Sequence, residues 1–427
     1  TSAISNTAVG YKSLHSNVDG DYNTAIGYLA LEDFVAVTDG RGYNTAVGAS
    51  AMKNVSTGTE NTAVGSLAMG AGVTTGNSNT AVGYAAGHNL TSGNSNIFMG
   101  RSSGISVLTG VQNVALGYNS MGTANGSESK NVAVGFNALA LMNADGDNFN
   151  TAVGHGVGES ITTAVKNTLV GALAGDAITT GSNNTVLGYA ALGANTIGNT
   201  NVAIGYLALT TNVAADRNVA LGYQALTAMT SGTTADTYNV AVGYHAGKAV
   251  TSGDLNTIVG GLAGDALTEG NNNVAIGYLA LSAETLGDRN VAIGNSALAQ
   301  QNNTSDVDAF NVAVGYTAGT AMLTGIRNTL VGAQAGKAMQ TANYNVAIGH
   351  DALSTNIDGD NNTALGYKAL EDFEADTDGH GNNTAIGASA MLNVSTGTSN
   401  TALGSLAMAS GVTTGNNNVA IGYAAAL

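Results

Sequence analysis

Along the whole chain one short pattern of polar and apolar positions returns: Asn, then Thr, Val or Ile, then usually Ala, then Val, Ile, Leu or Met, then Gly. It starts at 24 asparagines, from Asn6 to Asn418, and the usual step between them is 17 residues. With the Asn as position 0, Gly holds position 4 in all 24 copies and Ala holds position 7 in 20. Position 8 is Leu or Met in 15 copies and Gly in 8. Side chains alternate along a strand, so positions 1 to 3 predict a short strand with an aliphatic face and a nearly bare Ala/Gly face. A second short strand is expected at positions 7 and 8. Positions 9 to 16 then read as a return loop, often through Gly at position 14, as at Gly58, Gly93, Gly181 and Gly287.

Such a repeat cannot bury its apolar face alone and must stack on its neighbours. The expected fold is therefore all-β, a parallel β-solenoid of about 24 coils forming one array over residues 1–427. At about 4.8 Å per coil this predicts a rod on the order of 115 Å long. The aliphatic positions 1 and 3 are expected inside. Both faces of the first strand are dry, and across positions 0 to 8 the only charged residues are Lys12, Arg101, Asp351 and Lys368. The Ala/Gly face is therefore expected to need a second chain, which predicts a side-by-side homo-oligomer. Where position 2 is Leu169, Ile258 or Leu330, position 5 shrinks to Ala172, Gly261 or Ala333. That covariation suggests a shared packing layer.

Steps of 21 residues follow Asn23, Asn218, Asn290 and Asn362, the last three 72 apart, which places extra residues in surface loops. Residues 6 to 88 return in diverged form 339 positions later, as expected of segmental duplication. The chain starts and stops within the pattern and is read as a section of a longer protein.

Composition narrows the function. There is no Pro, Cys or Trp, so disulfides and Cys-based metal sites are excluded. Twelve Lys and Arg stand against 28 Asp and Glu, a formal net charge of −16 that disfavours nucleic acid and anionic membranes. No apolar run is long enough for a membrane helix.

Asn-Val-Ala-Ile-Gly at 201–205, 273–277, 290–294, 345–349 and 418–422 resembles the head repeat of trimeric autotransporter adhesins of the YadA type, with related repeats in bacteriophage tail fibres. The resemblance covers essentially the whole chain. It implies a left-handed parallel β-roll, three copies of which associate along a common axis at a cell or virion surface. The longer spacing and inserted loops depart from the adhesin head. The function expected on these grounds is an extracellular adhesive or structural fibre, with a host or cell-surface protein or glycan as partner. The alternative is a self-assembling filament or sheath without a specific ligand.

No recurring Ser/His/Asp set or carboxylate pair suggests an enzyme. The six His share no metal-ligand spacing. The position 0 asparagines are expected to satisfy turn backbone and to bond to one another up the stack. The tyrosines at position 5, including Tyr189, Tyr206, Tyr223 and Tyr244, are expected to form a stripe that packs at a chain interface or grips glycans. Oxygen donors spaced two apart around a Gly turn make calcium candidates of Asp19, Asp21, Asp145, Asp147, Asp358, Asp360, Asp376 and Asp378.

Overall fold

A computed structural model describes residues 3–36, 40, 42–124, 126–230, 235–374, 381–410 and 414–426. Asp376 and Asp378 lie outside them. Each repeat contributes one three-residue strand at positions 1 to 3, from β1 (Thr7–Val9) to β24 (Val419–Ile421). The protein is an all-β parallel solenoid of about 23 turns, roughly 17 residues apart. It divides into two compact units, one ending with the twelfth strand, Val202–Ile204, and the other beginning with the thirteenth, Val219–Leu221. Within each unit every strand pairs with the next in exact register, as in Thr168↔Thr185 and Val274↔Val291.

The strand faces are reversed relative to the sequence expectation. Position 2 points inward: Ala25, Ala46, Ala203 and Ala275 are fully buried. Positions 1 and 3 point outward, and Ile26, Leu187 and Leu365 are 40%, 49% and 43% exposed. The cause is lack of room. The interior of a coil is shared by position 2, Ala at 7, Leu or Met at 8, and position 11, where Phe34, Leu90, Ile161 and Phe373 are fully buried. A side chain larger than Ala at position 2 needs space cleared in the facing turn; Val186 has it with Gly175 at position 8 of the preceding coil.

The exceptions demonstrate the constraint. Phe98, Leu169, Ile258 and Leu330 stand at position 2, and each lies between a pair of glycines at position 8. A Cβ on Gly87 or Gly104 would come within 2.8 or 2.4 Å of Phe98; on Gly158 or Gly175, within 2.9 or 3.2 Å of Leu169. Gly247 and Gly264 flank Ile258 at 2.9 and 3.4 Å, and Gly319 and Gly336 flank Leu330 at 2.7 and 2.9 Å. All eight position 8 glycines are thereby explained by volume. Conformation is not the reason, since Leu139 and Leu192 adopt the φ of 50° and 53° that Gly158 and Gly175 adopt at 54° and 55°. The proposed layer joining positions 2 and 5 does not form, because one points inward and the other outward.

The second expected strand is a turn. Residues at positions 6 and 8 take left-handed backbone angles, as at Leu29 (φ 53°) and Leu31 (φ 51°), so the chain curls instead of extending. Bonding along the stack continues regardless: the Leu29 amide donates to Tyr11 O at 2.9 Å and the Leu31 amide to Ala51 O at 3.0 Å. These bonds offset a conformational cost of about 1–2 kcal/mol per left-handed non-glycine residue. Position 4 alone demands glycine on both counts. Gly171 has φ 134°, and a Cβ there would sit 2.4 Å from Gly188 O in the next coil.

The asparagines form the expected ladder. Asn273 donates its amide to Asn256 Oδ1 at 2.9 Å, accepts the Asn290 amide on its own Oδ1 at 2.9 Å, and closes its coil by donating Nδ2 to Gly287 O at 2.9 Å. One buried residue thus ties three coils, its main-chain amide reaching back and its side chain reaching forward.

Two predictions follow from this packing. Gly175→Leu should destabilise by overpacking, by about 1–3 kcal/mol, and Leu169→Ala by cavity formation, by about 2–5 kcal/mol. The triple variant Gly158→Leu, Leu169→Ala, Gly175→Leu restores the common arrangement and should recover most of that loss; urea unfolding midpoints check it. Asn273→Ala should cost about 2–4 kcal/mol, because it leaves both the Asn290 amide and the Gly287 carbonyl without partners. The same unfolding measurement reads it.

Candidate functional site

The outward face of the strands is the candidate site. Its centre is two columns, a half-buried one of Thr or Val at position 1 and an aliphatic one of Val, Ile or Leu at position 3, the latter holding exposed residues such as Ile26, Leu187 and Leu365. An aromatic column at position 5 borders it on one side. Tyr11 and Tyr28 stack at 5.4 Å and 12°, Tyr189 and Tyr206 at 5.5 Å and 12°. Tyr118, Phe136 and His155 form a three-ring run at 5.2 and 4.9 Å. Arg101 continues it, its guanidinium 5.7 Å from the Tyr84 ring and 5.8 Å from that of Tyr118. The stripe is thus broken into runs, separated by small residues such as Ala49, Ser66, Gly261 and Ala333. Within a run the ring faces are covered by neighbouring rings, which leaves edges and hydroxyls outward. Ring faces are what a sugar stacks on, so the stacked runs are poorly suited to glycan grip.

A second ribbon borders the other side, at the residue preceding each Asn, and the sequence reading missed it. Here cations and aromatics meet across adjacent coils. Arg217 lies 5.6 Å from the Tyr238 ring, Arg289 5.6 Å from Phe310, and Lys130 5.1 Å from Phe149. Each cation also pairs with a carboxylate two residues before that aromatic: Arg217 with Asp236, Arg289 with Asp308, and Lys130 with Asp147 at 2.6 Å. All three clamps span lengthened coils, of 21, 21 and 19 residues, and hold the end of the longer loop in register. At about 0.5–1 kcal/mol for each exposed cation–π contact they are positional devices more than large stabilisers. The sequence signal was available: a basic residue before one Asn, and Asp-x-aromatic before the next.

The acidic turns are placed beside hydrogen-bond donors. Asp21 Oδ1 accepts the Ile4 amide at 2.6 Å, and Asp360 Oδ1 accepts the Asn343 amide at 2.6 Å. Asp216 and Asp288, at the corresponding position, accept the Asn199 and Asn271 amides at 2.6 and 2.7 Å. Position 15 is therefore a further polar ladder, and Asn or Ser serves it elsewhere, as Asn94 does for the Asn77 amide. Asp358 accepts the Thr341 hydroxyl at 2.6 Å, Asp145 the Ser127 hydroxyl at 3.2 Å, and Asp147 the Lys130 ammonium. Asp19 is half-buried in the same turn as Asp21. Among the described residues no three His, Cys, Asp or Glu are grouped to hold a metal ion.

Buried polar groups also occur inside. Glu284, at position 11, is fully buried, and its Oε1 accepts the amides of Thr285, Leu286, Gly287 and Asn303 at 2.8–3.2 Å. Its Oε2 accepts Asn303 Nδ2 at 2.9 Å. On the flank of the turn, at position 9, burial pushes the Asp176 carboxyl above its ordinary value; its own amide and that of Ala177 oppose this, while the charge of Glu159 adds to it. Asp265 is likewise raised by burial, against its own amide and the charges of His245 and Lys248. His245 is lowered, first by burial and then by Lys248.

No protein-family model matches the chain, and comparison with curated proteins gives no match.

The raised Asp176 fixes a sign. The folded state binds this proton more tightly than the unfolded chain, so its contribution is fully present below the ordinary carboxylate value and is lost as pH rises through the raised one. Asp176→Asn should therefore raise the unfolding midpoint at neutral pH and leave it unchanged in acid, as thermal melts across that range will read.

Proposed function

We propose that this chain is a section of an extracellular fibre that assembles as a homotrimer through its outward aliphatic face and serves attachment, as the head or shaft of a surface adhesin or as a tail fibre. The observation that carries the reading is the outward strand face, with its aliphatic position 3 column beside the Thr and Val of position 1. Parallel sheets are ordinarily covered on both faces, and a long uncovered apolar strip on a soluble chain marks an interaction surface. A second copy is the natural cover, because its columns repeat with the same axial spacing and meet this face coil for coil. The inward Ala/Gly side, expected from the sequence to face the partner, is already filled by the chain's own core. Attachment would then be multivalent, with loops presented at regular intervals so that weak contacts add through effective concentration.

Light scattering on the folded chain tests the assembly. Three times the 42.1 kDa chain mass is expected, and Ile204→Lys with Ile276→Lys should give a folded monomer. A wild-type chain that stays monomeric at high concentration sinks the proposal. Dissociation on calcium chelation would assign the ion to the Asp-Gly-Asp turns.

A further inference from the structure

We infer that the stacked tyrosine pairs are sites of oxidative cross-linking, at which a one-electron oxidant staples adjacent coils through dityrosine. Four pairs within the two units meet the requirement. Tyr22 and Tyr43 lie 5.1 Å apart at 3°, Tyr11 and Tyr28 5.4 Å apart at 12°, Tyr189 and Tyr206 5.5 Å apart at 12°, and Tyr223 and Tyr244 5.5 Å apart at 14°. All eight rings are between 43% and 62% exposed, so an oxidant can reach them. Both rings of a pair project from equivalent positions of neighbouring coils, which holds their ortho carbons close without further ordering. That preorganisation gives radical coupling an effective concentration far above that of a chance encounter. The chain has no Cys, so tyrosine is its route to a covalent tie between coils.

The chemistry balances with a peroxidase-class oxidant and hydrogen peroxide. Each phenol loses one hydrogen atom from its hydroxyl, giving two phenoxyl radicals. A carbon–carbon bond forms between one ortho carbon of each ring. The hydrogens on those carbons pass to the phenolic oxygens as aromaticity returns. The net loss of two hydrogen atoms reduces one peroxide to two waters.

The fold supplies its own controls. Tyr84 has Ser66 and Arg101 as neighbours in its column, Tyr278 has Gly261 and Asn295, and Tyr316 has Asn295 and Ala333. None of the three has a tyrosine one coil away.

The test oxidises the folded chain with photoexcited ruthenium tris(bipyridyl) and persulfate, then maps cross-linked peptides by mass spectrometry. Peptides joining 11 to 28, 22 to 43, 189 to 206 and 223 to 244 are expected, with no change in chain mass on a denaturing gel. Tyr28→Phe keeps a ring in the stack, as Phe136 does beside Tyr118, and should abolish the Tyr11 link alone. The urea-unfolded chain should lose the pattern. Absence of dityrosine, links at Tyr84, Tyr278 or Tyr316 as frequent as those at the pairs, or the same pattern from unfolded chain would each overturn the inference.

Discussion

The width of the coil interior governs this molecule. Between the strand and the turn facing it there is room for one side chain of Leu size, and the sequence assigns that volume either to position 8 or to position 2. Where Leu or Met takes it at position 8, the strand presents Ala, except at Val186, which shares its coil with Leu192. Where Leu169 or Phe98 takes it at position 2, two glycines clear the opposite wall. The outward aliphatic face follows from the same limit, because the interior takes a Val or Ile on the strand only at the few coils where a glycine at position 8 makes room, as for Val186 and Ile258, and elsewhere such residues stand outward.

A coil so thin has little apolar area to bury, and hydrogen bonding carries a correspondingly larger part of its specification. The position 0 asparagines and, where present, the Asn, Asp or Ser at position 15 bond to the adjacent coil, so that loops are tied as well as strands. Fully satisfied, such buried ladders fix register; with one member missing, they leave unpaired groups in a dry interior.

Much of this was legible in the residues. Asn-x-Ala-x-Gly at a step of 17 identified the strand, the stacking and the asparagine ladder, because each depends on one residue type at a fixed interval. Hydrophobicity alone points to the wrong strand face, because volume decides which side chains fit inside. The deciding signal was present in the pairing of Leu169 with Gly158 and Gly175, but it joins positions in successive coils and emerges only when columns are compared across the core. The turn at positions 6 and 8 was not legible, because Leu29 and Leu31 are poor predictors of left-handed backbone. Position 11 was also hidden, since Phe34, Asn195 and Glu284 share no chemistry, only a place inside. Of the outward site, the tyrosine column was foreseen and the cation–aromatic ribbon was not.

The bulky residues with their flanking glycines bear on a difficulty peculiar to near-identical repeats. A growing stack of interchangeable coils is free to mispair, skipping or doubling one coil while every strand still finds a partner. Leu169 removes that freedom locally, because shifted by a single coil it would meet Leu139 or Leu192 in place of one of its two glycines. Phe98, Ile258 and Leu330 do the same elsewhere. These four sites act as phase marks, by which an otherwise repetitive chain can recognise which of its coils is which.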